Sequence, residues 1–343
     1  MFLFLRKYYL ATSYFLIFTL FFVLSSIVTI AFGYSGKDIN ISIVTGLKTG
    51  TYYAFARDIS SLVKGSDINV NVKDSEGSID NIRRLNSNEK VSLGFIQSDI
   101  LGFLKRSKNP DSMKMAKNLR VVFPLYDEEI HVLANKKIKS FSDLNGKKIA
   151  IGDDGSGNML TSINLFSITG VKPAESVKIS SAKGVVKVLK GELDAVIFVG
   201  GKPIRLFKNL EDLTLPENKK YTPMLDNVHF VPLNGVRLLE EYIPSEITSK
   251  DYSFVKESVP TVAVRAFLIS YDFSANDNEA VKERCDNLNK LSKIIANNIE
   301  ILKRKGHPKW REVDLNADVN IWQKDSCVWE NPTELNNIIS GRE

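Results

Sequence analysis

The 343-residue sequence holds two cysteines, three histidines and no dense block of lysine and arginine, and each shortage excludes something. His131, His229 and His307 are widely separated, and the first two sit inside apolar runs, where a histidine satisfied within a core is the ordinary state. With Cys285 and Cys327 they make no zinc-ligand spacing. No Gly-x-Ser-x-Gly elbow, no Gly-x-x-x-x-Gly-Lys-Ser/Thr loop and no His-Glu-x-x-His pair occurs. The sequence therefore predicts no enzyme, no cofactor and no metal. A net charge of +6 is spread thinly along the chain, which argues against a nucleic-acid partner. What is present, 43% hydrophobic and 25% charged residues over a length fit for two domains, is globular in character.

The N-terminus carries a targeting signal. Arg6 and Lys7 precede a run from Tyr8 to Phe32 with no charge, and Ala31-Phe32-Gly33 places small residues for cleavage before Tyr34. The run is also long enough to span a bilayer as an uncleaved anchor, with the basic pair on the cytoplasmic side. Both alternatives place residues 34–343 outside the cytoplasm, in the periplasm, free or anchored to the inner membrane. No second span follows. Export makes Cys285 and Cys327 a disulfide rather than a metal or catalytic pair. The bridge stabilises by roughly 4 kcal/mol in the chain-entropy model.

Apolar runs at residues 39–44, 68–72, 91–96 and 119–125 predict strands, with helical spacing at 53–63 and 79–85 between the first three. After an extended apolar stretch at 129–134 the grammar repeats: strands at 148–152, 177–179 and 193–199, helices at 159–166 and 185–189. Strand alternating with helix implies parallel sheet, and the two series suggest two α/β lobes facing one another across two or more crossings. The remainder carries a further strand at 261–270 and a single long amphipathic helix over 280–303. Trp310, Trp322 and Trp329 pin the tail.

Ligands of open α/β sheets bind beyond the carboxyl ends of the strands, and the loops expected there are rich in small and hydroxyl residues. The first holds Gly46, Lys48, Thr49, Gly50, Thr51 and Tyr52; the second Ser75, Gly77 and Ser78; a third Ser156 and Gly157. Each stands at a strand-to-helix junction, where free backbone N–H groups suit a carboxylate. Thr51, Ser78 and Ser156 are candidate N-caps and hydroxyl donors. Gln97 and Asp99 follow a strand end and are placed to orient an amine or amide. Gly200 and Gly201 form the matching tip of the second series. Lys48 neutralises a carboxylate if it points inward and is a solvated loop lysine if outward. Asp153 and Asp154 should face solvent.

In order along the chain, Thr45-Gly46 through Gly50-Thr51-Tyr52-Tyr53, Gly77-Ser78 with Asn81, Gln97-Ser98-Asp99, Asp143 to Lys147, Gly155-Ser156-Gly157, Gly191 to Ala195, Gly201 with Pro203, and Pro260-Thr261-Val262 form a set. In these residues the chain resembles the TAXI-type solute-binding proteins of tripartite ATP-independent periplasmic (TRAP) transporters. The resemblance covers residues 40–270. It implies an α/β, two-lobed periplasmic-binding-protein fold of the type 2, Venus-flytrap kind. It implies capture of a small organic acid or amino acid, glutamate- or glutamine-like, and delivery to TRAP-type permease subunits. Leu47 and Thr49 stand where that family has glycine.

The expected organisation is thus a leader at 1–33, a first lobe from 34–127 and 223–343, and a second from 128–222, in a monomer that closes about hinges near 123–133 and 223–232. A membrane-tethered sensor signalling to a partner is the alternative.

Overall fold

The computed structural model describes residues 38–87, 89–107, 109–272, 278–319 and 321–329. The leader expected at 1–33 lies outside the described residues, among which no helix is long and apolar enough to cross a membrane.

Strands β1 (Ile39–Val44), β2 (Ile68–Lys73) and β3 (Leu93–Gln97) run parallel and are joined by helices α1 (Thr51–Leu62) and α2 (Ser78–Leu85). Ile41 and Ile43 of β1 pack under Phe55, Ala56 and Ile59 of α1, which explains the helical spacing of those apolar residues. Helices α3 (Ile100–Arg106) and α4 (Pro110–Asn118) lead into β4 (Leu119–Asn135). The sequence predicts two pieces here, at 119–125 and 129–134; the structure has one strand of 17 residues. Asp127, Glu128 and Glu129 interrupt the apolar run, yet each carboxylate finds a partner without breaking the strand. Asp127 takes Arg265, Glu128 takes two tyrosine hydroxyls, and Glu129 takes the Lys202 backbone N–H.

The second series is β5 (Lys148–Ala150), α5 (Gly157–Thr169), β6 (Glu175–Val177), α6 (Ser181–Leu189) and β7 (Ala195–Gly200), followed by β8 (Val228–Phe230), β9 (Ile243–Ile247) and β10 (Val259–Tyr271). The strand order is β2-β1-β3-β10-β4-β7-β5-β6, with β8 on β4 and β9 on β10. Each series is a parallel triplet with its first strand in the middle. The first is closed by antiparallel β10 and the second by antiparallel β4. The two series do not form separate sheets, because β4 and β10 pair with each other from Tyr271↔Leu119 to Ala263↔Glu129 and carry hydrogen bonding through both.

The cores are nevertheless distinct. Leu125 and Tyr126 of β4 and Ala266 and Leu268 of β10 belong with α1 and β1–β3. Ile130 and Val132 of β4 and Val262 and Val264 of β10 belong with β5, β7 and α5. The changeover falls at Asp127–Glu129 on one strand and Arg265 on the other. The return crossing is therefore β10. The segment at 223–232, where a crossing is expected from sequence, instead lays β8 on β4 and buries Leu225, Val228 and Phe230 with Leu133 and Phe207.

The long C-terminal helix is two helices, α7 (Glu279–Asn297) and α8 (Ile299–Lys305), parted at Asn298, whose amide side chain donates to the Ile294 carbonyl. Cys285 of α7 is disulfide-bonded to Cys327. Trp310 stacks on Phe55 with ring centroids 4.1 Å apart and donates to Asp58, fastening the tail to α1.

Candidate functional site

A cleft of about 710 Å³ opens where the two halves face each other. Its first wall is built at the carboxyl ends of β1 and β3. Asn81 of α2 fixes these tips: its amide donates to the Thr45 carbonyl at 2.6 Å and the Phe95 carbonyl at 2.7 Å. Ser75 donates to Asn81 and accepts from Gly77 N–H, shaping the loop before α2. Gly77 has φ 120°, a conformation that favours glycine, and a Cβ there would lie 3.4 Å from the Gly157 nitrogen of the opposite wall.

Three helices of eight residues or more begin at this cleft. Gly50, Gly77 and Ser156 are the N-caps of α1, α2 and α5. The first N–H groups of a helix have no intrahelical partner, and the axial dipole adds partial positive charge there. Thr51 and Ser78 are not the caps expected from sequence; each is the first helical residue behind a glycine, so its side chain leaves the cap position. Ser78 accepts from the Gln97 N–H at 3.1 Å. Ser156 is a cap, accepting from Met159 N–H, and its hydroxyl donates to the Asp153 carbonyl at 2.6 Å. The Ser156 hydroxyl thus spends its hydrogen on Asp153, whereas Ser78 only accepts and keeps its hydrogen, a donor at the cleft beside the first N–H groups of the three helices.

Of the residues singled out from sequence, Gly46, Thr49, Gly50, Thr51, Tyr52, Gly77, Ser78, Gln97, Ser156, Gly157, Gly200 and Gly201 line this cleft. Three do not. Lys48 reaches outward to within 3.9 Å of Asp74, with 68% of its side chain exposed. Ser75 supports the loop from behind, as described. Asp99 sits at the start of α3 in helical conformation, which turns its carboxylate away from the cleft; there it accepts from Tyr242 at 3.1 Å and from the Asn164 amide. Burial pushes the Asp99 carboxyl up to about 6, against the hydrogen bonds it accepts. Asp153 and Asp154 are exposed.

The structure adds residues that sequence reasoning passed over: Glu128, Asn158, Phe198, Arg205 and His307 also line the cleft. Glu128 lies on the floor, 6% exposed, where its two oxygens accept from Tyr52 at 2.9 Å and Tyr126 at 3.0 Å. Burial raises its carboxyl to about 7, while those phenols, Gln97 and the Lys309 ammonium hold it down. Three acids inside an apolar run, at 127–129, are the signal that could have found it. His307 comes from the tail, and burial lowers its imidazole. His131 is a core histidine, pushed down to about 3 by burial and held by the Glu129 carbonyl and the Tyr252 hydroxyl. Among the described residues no group of histidine, cysteine and carboxylate side chains is set to hold a metal ion.

The halves touch beside the cleft. Arg106 of α3 donates to Glu241 and to Asn164 of α5, and Gln97 packs on Gly157. Two α/β halves joined by two antiparallel strands, with helix N-termini and a buried floor between them, define a two-lobed α/β protein of the periplasmic-binding-protein fold. The chain belongs to the NMT1-like family, whose model matches residues 43–305. Solved structures similar to it include a periplasmic transporter, 13% identical with a TM-score of 0.46 over 90% of this chain and 96% of that one. The periplasmic binding protein BugD is 11% identical, with a TM-score of 0.46 over 89% and 94%. A histidine kinase sensor domain with similarity to periplasmic binding proteins is 11% identical, with a TM-score of 0.45 over 81% and 99%.

Proposed function

We propose that this chain is an extracytoplasmic solute receptor. It captures a small carboxylate, an organic acid or a glutamate- or glutamine-like amino acid, between its lobes and hands it to a TRAP-type permease. The observation that carries this reading is the convergence of the N-termini of α1, α2 and α5 on one cleft. Such termini attract anions through unpaired N–H groups and the helix dipole. Closure turns about the two crossings, near Asp127–Glu129 of β4 and Arg265 of β10, with residues between them moving as the second lobe. Ligand selects the closed form by touching both walls. The leader serves as signal or anchor, which N-terminal sequencing of exported protein distinguishes.

The test is mass spectrometry of the molecule released from purified, denatured protein, followed by calorimetric titration with it. A carboxylate that binds in a one-to-one complex supports the proposal. A neutral sugar, or a cation with no acid group, ends it.

A further inference from the structure

We propose that the floor of the cleft is a cation-accepting subsite made by Glu128 and Gln97, so that the ligand carries a protonated amine together with its carboxylate. The inference rests on the receptor reading above and narrows it to zwitterions. Glu128 and Gln97 are 6% and 4% exposed and both face the cleft. Glu128 takes one phenol hydrogen on each oxygen, from Tyr52 and from Tyr126, and a hydrogen bond from the Gln97 side chain, and a carboxylate has room for about four donors in all. The Gln97 Oε1 atom is buried and has no hydrogen-bond partner. A buried carbonyl left this way is costly unless a ligand supplies the donor.

An ammonium offers three donors and no acceptor, which suits the acceptor position left on the Glu128 carboxylate and the orphaned Gln97 amide oxygen. The positive ends of three helices line the same cleft, so it is bipolar. The groups facing Glu128 are Tyr52 from α1, Tyr126 from β4, Gln97 from β3 and Lys309 from the tail. The Lys309 ammonium is held by Glu312 at 2.6 Å and does not fill the subsite. A second ligand carboxylate set against Glu128 would have to protonate it. Because burial raises Glu128 to about 7, the two ligand classes differ in proton traffic. Near pH 7 an ammonium favours the ionised carboxylate and expels protons, whereas a second ligand carboxylate favours the protonated form and takes protons up.

The experiment is titration calorimetry at pH 7 in two buffers of different ionisation enthalpy. The probes are α-amino acids paired with their desamino acids, L-glutamate with glutarate and L-norvaline with valerate heading the panel. The amino member should bind about 10- to 100-fold tighter and release protons. Glu128→Gln should erase both the preference and the release, so that the amino and desamino members of a pair bind this variant equally. Gln97→Met, which keeps Glu128, should narrow the amino-over-desamino preference measured on that variant, so a failure of the first variant to fold leaves the test intact. Desamino acids that bind equally well, or binding with proton uptake, overturn the subsite and leave the carboxylate reading standing. If neither member of any pair binds, the carboxylate reading falls and the subsite with it.

Discussion

Adding one methyl group at Gly157 separates folding of the lobes from their closure. A Cβ on Gly157 would overlap the Gln97 Oε1 and lie 2.7 Å from its Cδ, so the carboxamide would have to shift. The backbone does not resist, since Gly157 is the first residue of α5 and alanine raises helix propensity by up to about 1 kcal/mol in open and closed forms alike. The Gln97 carboxamide is buried and must shift only when the walls meet. Overpacking of that kind costs about 1–3 kcal/mol, charged to the closed form alone. The closed population, and with it ligand affinity, should fall by about 5- to 150-fold. Calorimetry with the ligand recovered from the protein measures the loss, and thermal unfolding of the free protein should be unchanged or raised. Gln97→Ala removes the obstructing carboxamide, so a double-mutant cycle should return a coupling of about 1–3 kcal/mol. Wild-type affinity in Gly157→Ala, or the same loss with Gln97 present and absent, refutes closure through this contact.

Other perturbations test other parts. Gly184→Ala in α6 should destabilise by about 1–3 kcal/mol despite better helix propensity. Its Cβ meets the Ala150 Cβ at 2.8 Å and Val196 Cγ2 at 2.9 Å, both strand side chains with nowhere to go, and denaturant unfolding reads the change. Reducing the Cys285–Cys327 bridge, which spans 42 positions, should lower stability by about 3–4 kcal/mol, seen as a lower melting temperature with reductant and absent in Cys285→Ser/Cys327→Ser. Asp99→Asn keeps the acceptor for Tyr242 and Asn164 without the buried charge. Because the folded carboxyl is raised from the ordinary 3.8 to about 6, its stabilising contribution is full below about pH 4 and is lost as pH rises through 6. The variant should therefore be more stable at pH 8, by on the order of 1–3 kcal/mol, and unfolding curves across pH 4–8 should flatten.

Most strands and helices were legible because apolar runs and helical spacing are local. β1 and α2 fall where the pattern puts them, and Ser156 caps α5 as its chemistry suggests. What was hidden depends on partners far along the chain. The continuity of β4 through three acids rests on Arg265, Tyr52 and Lys202, and Glu128 on the floor meets Tyr52 from 76 positions away. The glycine caps of α1 and α2 were missed because a hydroxyl residue beside a glycine reads as the better cap, while the chain uses the glycine to open the turn. Lys48 and Asp99 lie in the right loops, but the direction of a side chain is set by the turn it sits on. His307 was lost in a tail whose contribution depends on Trp310 stacking on Phe55.

The placement of β10 between β3 and β4 also dictates an order of assembly. Synthesis delivers β3 early, but its partner along Ala266↔Gln97 to Ile269↔Gly94 arrives last among the strands. Ser98 and Arg265, which bond to each other beside that pairing, are 167 positions apart. At ordinary elongation rates that gap is roughly 8 to 33 seconds. Throughout it β3, every residue of which is buried in the finished fold, presents an unpaired edge, the sort of edge that recruits foreign strands. Strands β5 to β7 need no such wait and pair among themselves and, through β7, with the 129–134 part of β4 as they emerge, but the 119–129 part of β4 waits for β10 as β3 does. Both halves are therefore completed by β10, which also brings Val262 and Val264 to the second core, and a chain truncated before Val259 would keep its β3 edge open permanently and should be held by chaperones or aggregate.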